Sequence, residues 1–337
     1  MKSRKPLRII FASLLFMAAA IYIFRLIPDI DPHTFLLLSF ERWLLVISLF
    51  LIVQLLNVLY FKLILTRMCN IGSLSKLFQI LFASYSLNYA GPLKLGIPVR
   101  VLLFKRVLGV PYGAGIATVV VTTGLDVLIT IVLALALLAW FHISPLLGII
   151  LGLASVIILT GLAWLFHKLP FARPKRPRWL ASFLSDLGNL SPFTISSAIV
   201  ISAIKSLLIC LGSWIILVGL GGVISLAEFT LVYLTSHLAG LLSFIPMGIG
   251  IKDASLIELL SRLEISPSVG IVLVAIDRFI WSFAPLLIGL VAGWHLGISG
   301  IIKSAREQGE IIQANAKDTG RSLIGPSQHP KLEHSRE

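Results

Sequence analysis

Four ionisable residues interrupt stretches that are otherwise apolar: Asp126, Lys205, Asp277 and Arg278. Each falls well inside a run long enough to cross a bilayer, where a lone charge costs about 2.5–3.5 kcal/mol even on the lenient insertion scale. They require partners, water or a charged ligand. One solution is a structural ion-pair network, for example Asp126 with Lys205 or with Arg278. The other is a seat for a phosphate group. For that role Arg278 has the better shape, because a guanidinium binds phosphate oxygens bidentately whereas Lys205 offers a point charge. Arg100, with Lys105 and Arg106 nearby, adds either a cytoplasmic mouth for anionic headgroups or a topological anchor. The candidate substrate-binding set is therefore Arg100, Asp126, Lys205, Asp277 and Arg278.

Catalytic signatures are missing. The sequence has no HExxH, Walker or GxSxG motif, and Gly248-Ile-Gly250 lacks the strand and phosphate-loop context of a nucleotide site. Cys69 and Cys210 lie in separate segments without metal-type spacing, so no zinc site, disulfide framework, metal or cofactor is expected. Tyr233 and His237 sit one helical turn apart and read as a buried hydrogen-bonded pair.

Membrane elements must position these groups. Of 337 residues 57% are apolar and 13% charged, against roughly 25% charged in soluble domains. The net charge of +13 comes from basic residues flanking apolar runs, which points to lipid headgroups and topology and not to nucleic acid. Spans are expected at 9–27, 43–65, 113–141, 146–166, 196–219 and 269–296. Two further apolar runs, 77–111 and 228–263, are broken. The first breaks at Asn88, Pro92 and Gly96; the second at Pro246, Gly248 and Gly250, followed by Lys252 and Asp253. Proline removes a backbone donor, and irregular backbone at membrane depth survives only where protein or water satisfies it. Each broken run therefore reads as a re-entrant pair of short helices lining a cavity. Asp253 is placed to cap the second short helix of its pair.

The predicted fold is an all-α polytopic membrane protein with six transmembrane helices and two re-entrant hairpins. Both termini face the cytoplasm across the plasma membrane. Counting each hairpin as a crossing would give eight spans but export the basic loop at 168–178, against the positive-inside rule. Residues 1–300 form the membrane domain, with halves at about 9–166 and 181–296; 301–337 reads as a polar, disordered cytoplasmic tail. The halves show a weak repeat. Pro92 to Gly96 and Pro246 to Gly250 share a Pro-x3-Gly frame, and each precedes a long span carrying an aspartate, Asp126 or Asp277. In the predicted topology one hairpin opens inward and the other outward, as in the inverted repeats of transporters.

These two units resemble the transmembrane region of lysylphosphatidylglycerol synthases, a flippase-like membrane domain. The resemblance covers about 10–294. Its first motif, Pro-x-x-x-Gly-Glu-x-x-Arg, is matched by Pro92, Gly96 and Arg100, with Ile97 in place of the acid. In the next span the family's acid-Arg pair is absent and the aspartate remains as Asp126. The second motif matches Pro246, Gly248, Gly250, Ile251, Lys252, Asp253 and Ala254, with Asp253 where glutamate is common; Arg278 matches the family's last-span arginine. The resemblance implies movement of a lipid or lipid-linked headgroup between leaflets, with membrane lipids as partners. The synthases' soluble domain has no counterpart in this sequence. The alternative is a non-transporting membrane subunit or enzyme of lipid, glycolipid or cell-surface polysaccharide assembly, working with a soluble transferase. A scaffold would instead tolerate joint apolar replacement of Asp126, Lys205 and Arg278.

Overall fold

The computed structural model describes residues 38–69, 73–90, 96–168, 186–188, 190–243 and 248–297. The predicted span at 9–27, nearly all of the basic loop, Pro92, Pro246 and the tail lie outside them. Among the described residues the regular structure is entirely helical: α1 Phe40–Met68, α2 Leu74–Ala90, α3 Gly96–Leu108, α4 Tyr112–His142, α5 Pro145–Lys168, α6 Pro192–Gly219, α7 Leu226–Leu242, α8 Ile251–Ser261, α9 Pro267–Arg278, a π-helical turn Phe279–Phe283 and α10 Ala284–His295. The starts follow local chemistry. Pro145, Pro192 and Pro267 occupy first-turn positions where no backbone donor is needed. Ser191 accepts from the Thr194 N–H, and Ser225 with Glu228 closes a capping box at α7.

Four helical stretches are long and apolar enough to cross a membrane: Phe40–Met68, Tyr112–His142, Pro192–Gly219 and Pro267–His295. The last is continuous through the π turn. There the Ala284 N–H reaches back to the Phe279 carbonyl, an extra residue that accommodates Pro285, which has no N–H and would crowd the carbonyl four residues before it. Large apolar side chains face outward, with Leu51 59%, Leu135 55% and Leu290 54% exposed, while Arg100, Lys205 and Asp277 are 6%, 7% and 3% exposed. That inversion fits a lipid solvent and would be untenable for a water-facing monomer.

The interior forms where α1 lies along α6, with α4 crossing both and α7, α8 and α9 closing the far side. Val46, Phe50, Ile216, Phe229, Leu256 and Leu273 join these helices in one apolar cluster. The helix pair α2/α3 packs on α1 and α4, and α7/α8 on α4, α6 and α9. α10 reaches α2 through Gly289, where any Cβ would collide with the Phe82 carbonyl. The chain divides into two units, Met1–Ala292 and Gly293–Glu337; the described part of the second is the end of α10 and a turn closed by the Gly297 N–H on the Trp294 carbonyl.

Candidate functional site

The polar residues gather along one stripe of α6. Ser202 and Ser213 are eleven residues apart, about three helical turns, so they share a face at about 16 Å separation along the axis. Each serine meets one of the two aspartates. Ser202 Oγ donates to Asp126 Oδ1 at 2.5 Å, and Ser213 Oγ to Asp277 Oδ1 at 2.5 Å. The two clusters built on these contacts have the same ingredients but different access.

Around Asp277 the cluster is closed. Lys252 Nζ lies 3.2 Å from Asp277 Oδ2 and donates to Tyr233 Oη at 2.9 Å, while Tyr233 donates to the same carboxylate at 3.1 Å. The Asp277 side chain is 4% exposed. One turn of chemistry further, Arg278 forks onto Asp253: Nε to Oδ1 at 2.9 Å and Nη2 to Oδ2 at 3.0 Å. Asp253 Oδ2 also accepts the Gly250 N–H at 2.9 Å. Its carboxylate thus ties off the start of α8 as the third residue of the helix, with Gly250 in the cap position. Gly250 (φ 85°) and Gly248 (φ 61°) both adopt left-handed backbone, which a side chain resists. Gly248 also touches Gly240 so closely that a Cβ would lie 2.8 Å from its Cα.

Around Asp126 the cluster is open. Lys205 Nζ is 3.4 Å from Asp126 Oδ1, and the carboxylate side chain is 44% exposed. Lys205 also lies 4.3 Å from the centroid of the Tyr60 ring and donates to Asn57 Oδ1 at 3.2 Å. Asn57 Nδ2 in turn donates to Tyr85 Oη at 2.6 Å. Arg100 has a different environment. Its Nε donates to Ser84 Oγ at 2.8 Å, and its guanidinium carbon lies 4.9 Å from the Phe61 ring centroid and 5.0 Å from that of Tyr85. Among the described residues no carboxylate lies within ion-pair distance of Arg100.

A cavity of about 270 Å³ opens beside these groups. Asn57, Tyr85, Ile97 and Arg100 line it from the side of α1, α2 and α3, Asp126 from α4, and His237, Gly248 and Lys252 from α7 and the break before α8. The structure therefore brings Arg100, Asp126, Gly248 and Lys252 to one cavity, with Lys205 directly behind Asp126. Asp277 sits behind Lys252. Arg278 is elsewhere: it borders a separate, apolar outer groove with Phe279 and Phe283. Asn88 falls in the last turn of α2, and Gly96 is buried at the start of α3. Sequence reasoning missed Asn57, Tyr85, Ser202 and Ser213, which are uncharged and look like ordinary helix residues. The three-turn spacing of the serines on α6 was the available signal.

Comparison with known proteins gives matches to membrane proteins. The family model described as "Lysylphosphatidylglycerol synthase TM region" matches residues 9–289. The UPF0104 membrane protein MJ1595 of Methanocaldococcus jannaschii is 30% identical over 104 residues, 31% of this chain and 31% of that protein. The similarity thus spans under a third of that relative's length. Since the family match runs through both broken helix pairs and into α10, the chain belongs to the lysylphosphatidylglycerol synthase TM region family.

Proposed function

We propose that this chain passes the headgroup of a lipid, or of a lipid-linked sugar, between the leaflets of the cytoplasmic membrane, holding it in the cavity between the two helix pairs while the acyl chains stay in lipid. Arg100 carries this reading. Three carboxylates, the buried Asp253 and Asp277 and the half-exposed Asp126, each take one cation: Arg278, Lys252 and Lys205. Arg100 is left as a surplus positive charge on the cavity wall. A buried guanidinium without a counter-ion is costly, and an anionic headgroup supplies one. The family takes its name from enzymes that make a phospholipid, which fits lipid as the cargo.

In the topology this reading uses, α2/α3 and α7/α8 are re-entrant pairs entering from opposite faces, within six spans and with both termini inside. Supporting it, their arms have 17, 13, 17 and 11 residues; even 17 residues extend about 26 Å, short of a ~30 Å hydrocarbon core. The paired aspartate clusters on one stripe of α6 fit an inverted repeat. Alternating access then means that the cavity opens toward one hairpin or the other.

Purified protein in liposomes should scramble a fluorescent phospholipid, read by quenching of the outer leaflet. Arg100→Gln should slow it at least tenfold, the scale of one lost hydrogen bond to a charged group, with unchanged insertion. If the wild type leaves both phospholipids and lipid-linked sugars unscrambled, transport is ruled out and presentation of a substrate to a soluble transferase becomes the better reading.

A further inference from the structure

We infer that Tyr85 is a second anion donor beside Arg100, and that Lys205 fixes the direction of its proton through Asn57. This rests on the anion reading of the cavity and names the ligand group as phosphate. The direction follows from what each atom can do. A lysine ammonium only donates, so the Asn57 atom 3.2 Å from Lys205 Nζ is the carbonyl oxygen. The amide nitrogen is then the atom 2.6 Å from Tyr85 Oη, and the hydroxyl must accept from it. The tyrosine's own proton remains to be given away.

The closed cluster shows where such a proton goes when no ligand is needed. There Lys252 donates to Tyr233, and Tyr233 donates to Asp277, so the circuit ends on a carboxylate. In the open cluster, no carboxylate of the described residues lies within hydrogen-bond distance of Tyr85, and Tyr85 lines the cavity with Arg100. The charges also leave room for an anion. Lys205 is balanced by Asp126 and Lys252 by Asp277, so the net positive charge at the wall is that of Arg100. With Nε held by Ser84 and Tyr85 hydrogen-bonded to the same guanidinium, an anion in the cavity would meet the charge of Arg100 and the tyrosine hydroxyl side by side, the hydroxyl supplying a neutral donor beside the charged one. Phosphate of a phospholipid headgroup and free phosphate share this chemistry.

The test titrates the full chain in detergent, by calorimetry, with dihexanoyl-phosphatidylglycerol and separately with inorganic phosphate. Tyr85→Phe should weaken binding by roughly ten- to a hundredfold. Replacing Tyr85 with 3,5-difluorotyrosine, below the pH at which that phenol ionises, keeps the shape and makes the hydroxyl a better donor and a poorer acceptor; binding should tighten. Weaker or unchanged binding with the fluorinated residue overturns the inference, whether or not Tyr85→Phe folds. Arg100→Gln separates the two claims. If it loses binding while both Tyr85 changes are silent, the anion site stands and the role of Tyr85 falls. If it binds like the wild type, or if the wild type takes neither ligand, both fall. Tyr85-dependent binding in the lipid arm alone identifies a headgroup, and in both arms shows that the phosphate group suffices.

Discussion

The pair Arg278–Asp253 decides whether the family's last-span arginine holds the fold or the cargo. Its side chains are 20% and 9% exposed, with three N–O distances between 2.8 and 3.0 Å. Removing one member of such a pair strands the other, at about 3–5 kcal/mol. Arg278→Met should cost that much. Asp253→Ala should cost it plus about 1 kcal/mol for the lost tie to the Gly250 N–H. The double variant strands neither member of the pair, so it should lose clearly less than the sum of the two single losses. The assay is thermal unfolding of the purified chain in nanodiscs, where about 2–4 °C accompanies each kcal/mol in a chain somewhat shorter than this one. The single variants should melt roughly 10 °C low and the double variant well short of their sum, no lower than the worse single variant. Additive losses in the double variant would refute the structural pair. So would an Arg278→Met protein of normal stability that no longer moves lipid, which would return Arg278 to the substrate.

Two further outcomes test the break and the surplus charge. Gly248→Ala should destabilise by at least about 1–2 kcal/mol, the cost of left-handed backbone for a side-chain-bearing residue, and by more if Gly240 cannot retreat from the 2.8 Å contact; melting in nanodiscs reads it, and an unchanged melting point would mean that the break is softer than drawn. Ile97→Glu places an acid one turn from Arg100 on the same cavity wall, and should weaken phosphate binding at least tenfold in the calorimetric titration while leaving stability unchanged or higher; undiminished binding would show that the charge on Arg100 is not what the ligand meets.

The elements were legible because membrane helices announce themselves by length and apolarity. The expected spans at 43–65, 113–141, 196–219 and 269–296 all fall within helices long and apolar enough to cross. The broken runs were legible because glycine and proline inside apolar sequence mark a break, as Gly248 and Gly250 do through positive φ. Pairing was legible only in part. Asp126 with Lys205 is one of the pairs composition allows, and the structure makes it. Arg278, expected to pair with Asp126 or to hold phosphate, meets Asp253, twenty-five residues earlier, because α8 folds back against α9. No helical periodicity encodes a contact across a turn. Asn57 and Tyr85 were invisible for another reason: their importance lies in the direction of a hydrogen bond, set by a lysine 148 residues from Asn57.

The departure at Ile97 then acquires a physical meaning. An acid three residues before the arginine, as in the motif that this stretch resembles, would give the arginine a counter-ion on its own helix. Here Ile97 lines the same cavity as Arg100 without offering one. The second half of the molecule keeps its motif and is electrically closed: Asp277 holds Lys252, and Asp253 holds Arg278. The first half has Ile97 in the acid's place and is open, with Asp126 half exposed to the cavity. A scaffold gains nothing from this asymmetry, since a buried cation without a counter-ion only costs stability. The asymmetry has a use if the missing negative charge arrives with the ligand, so that the half that departs from the motif binds the cargo and the half that keeps it forms the fixed wall.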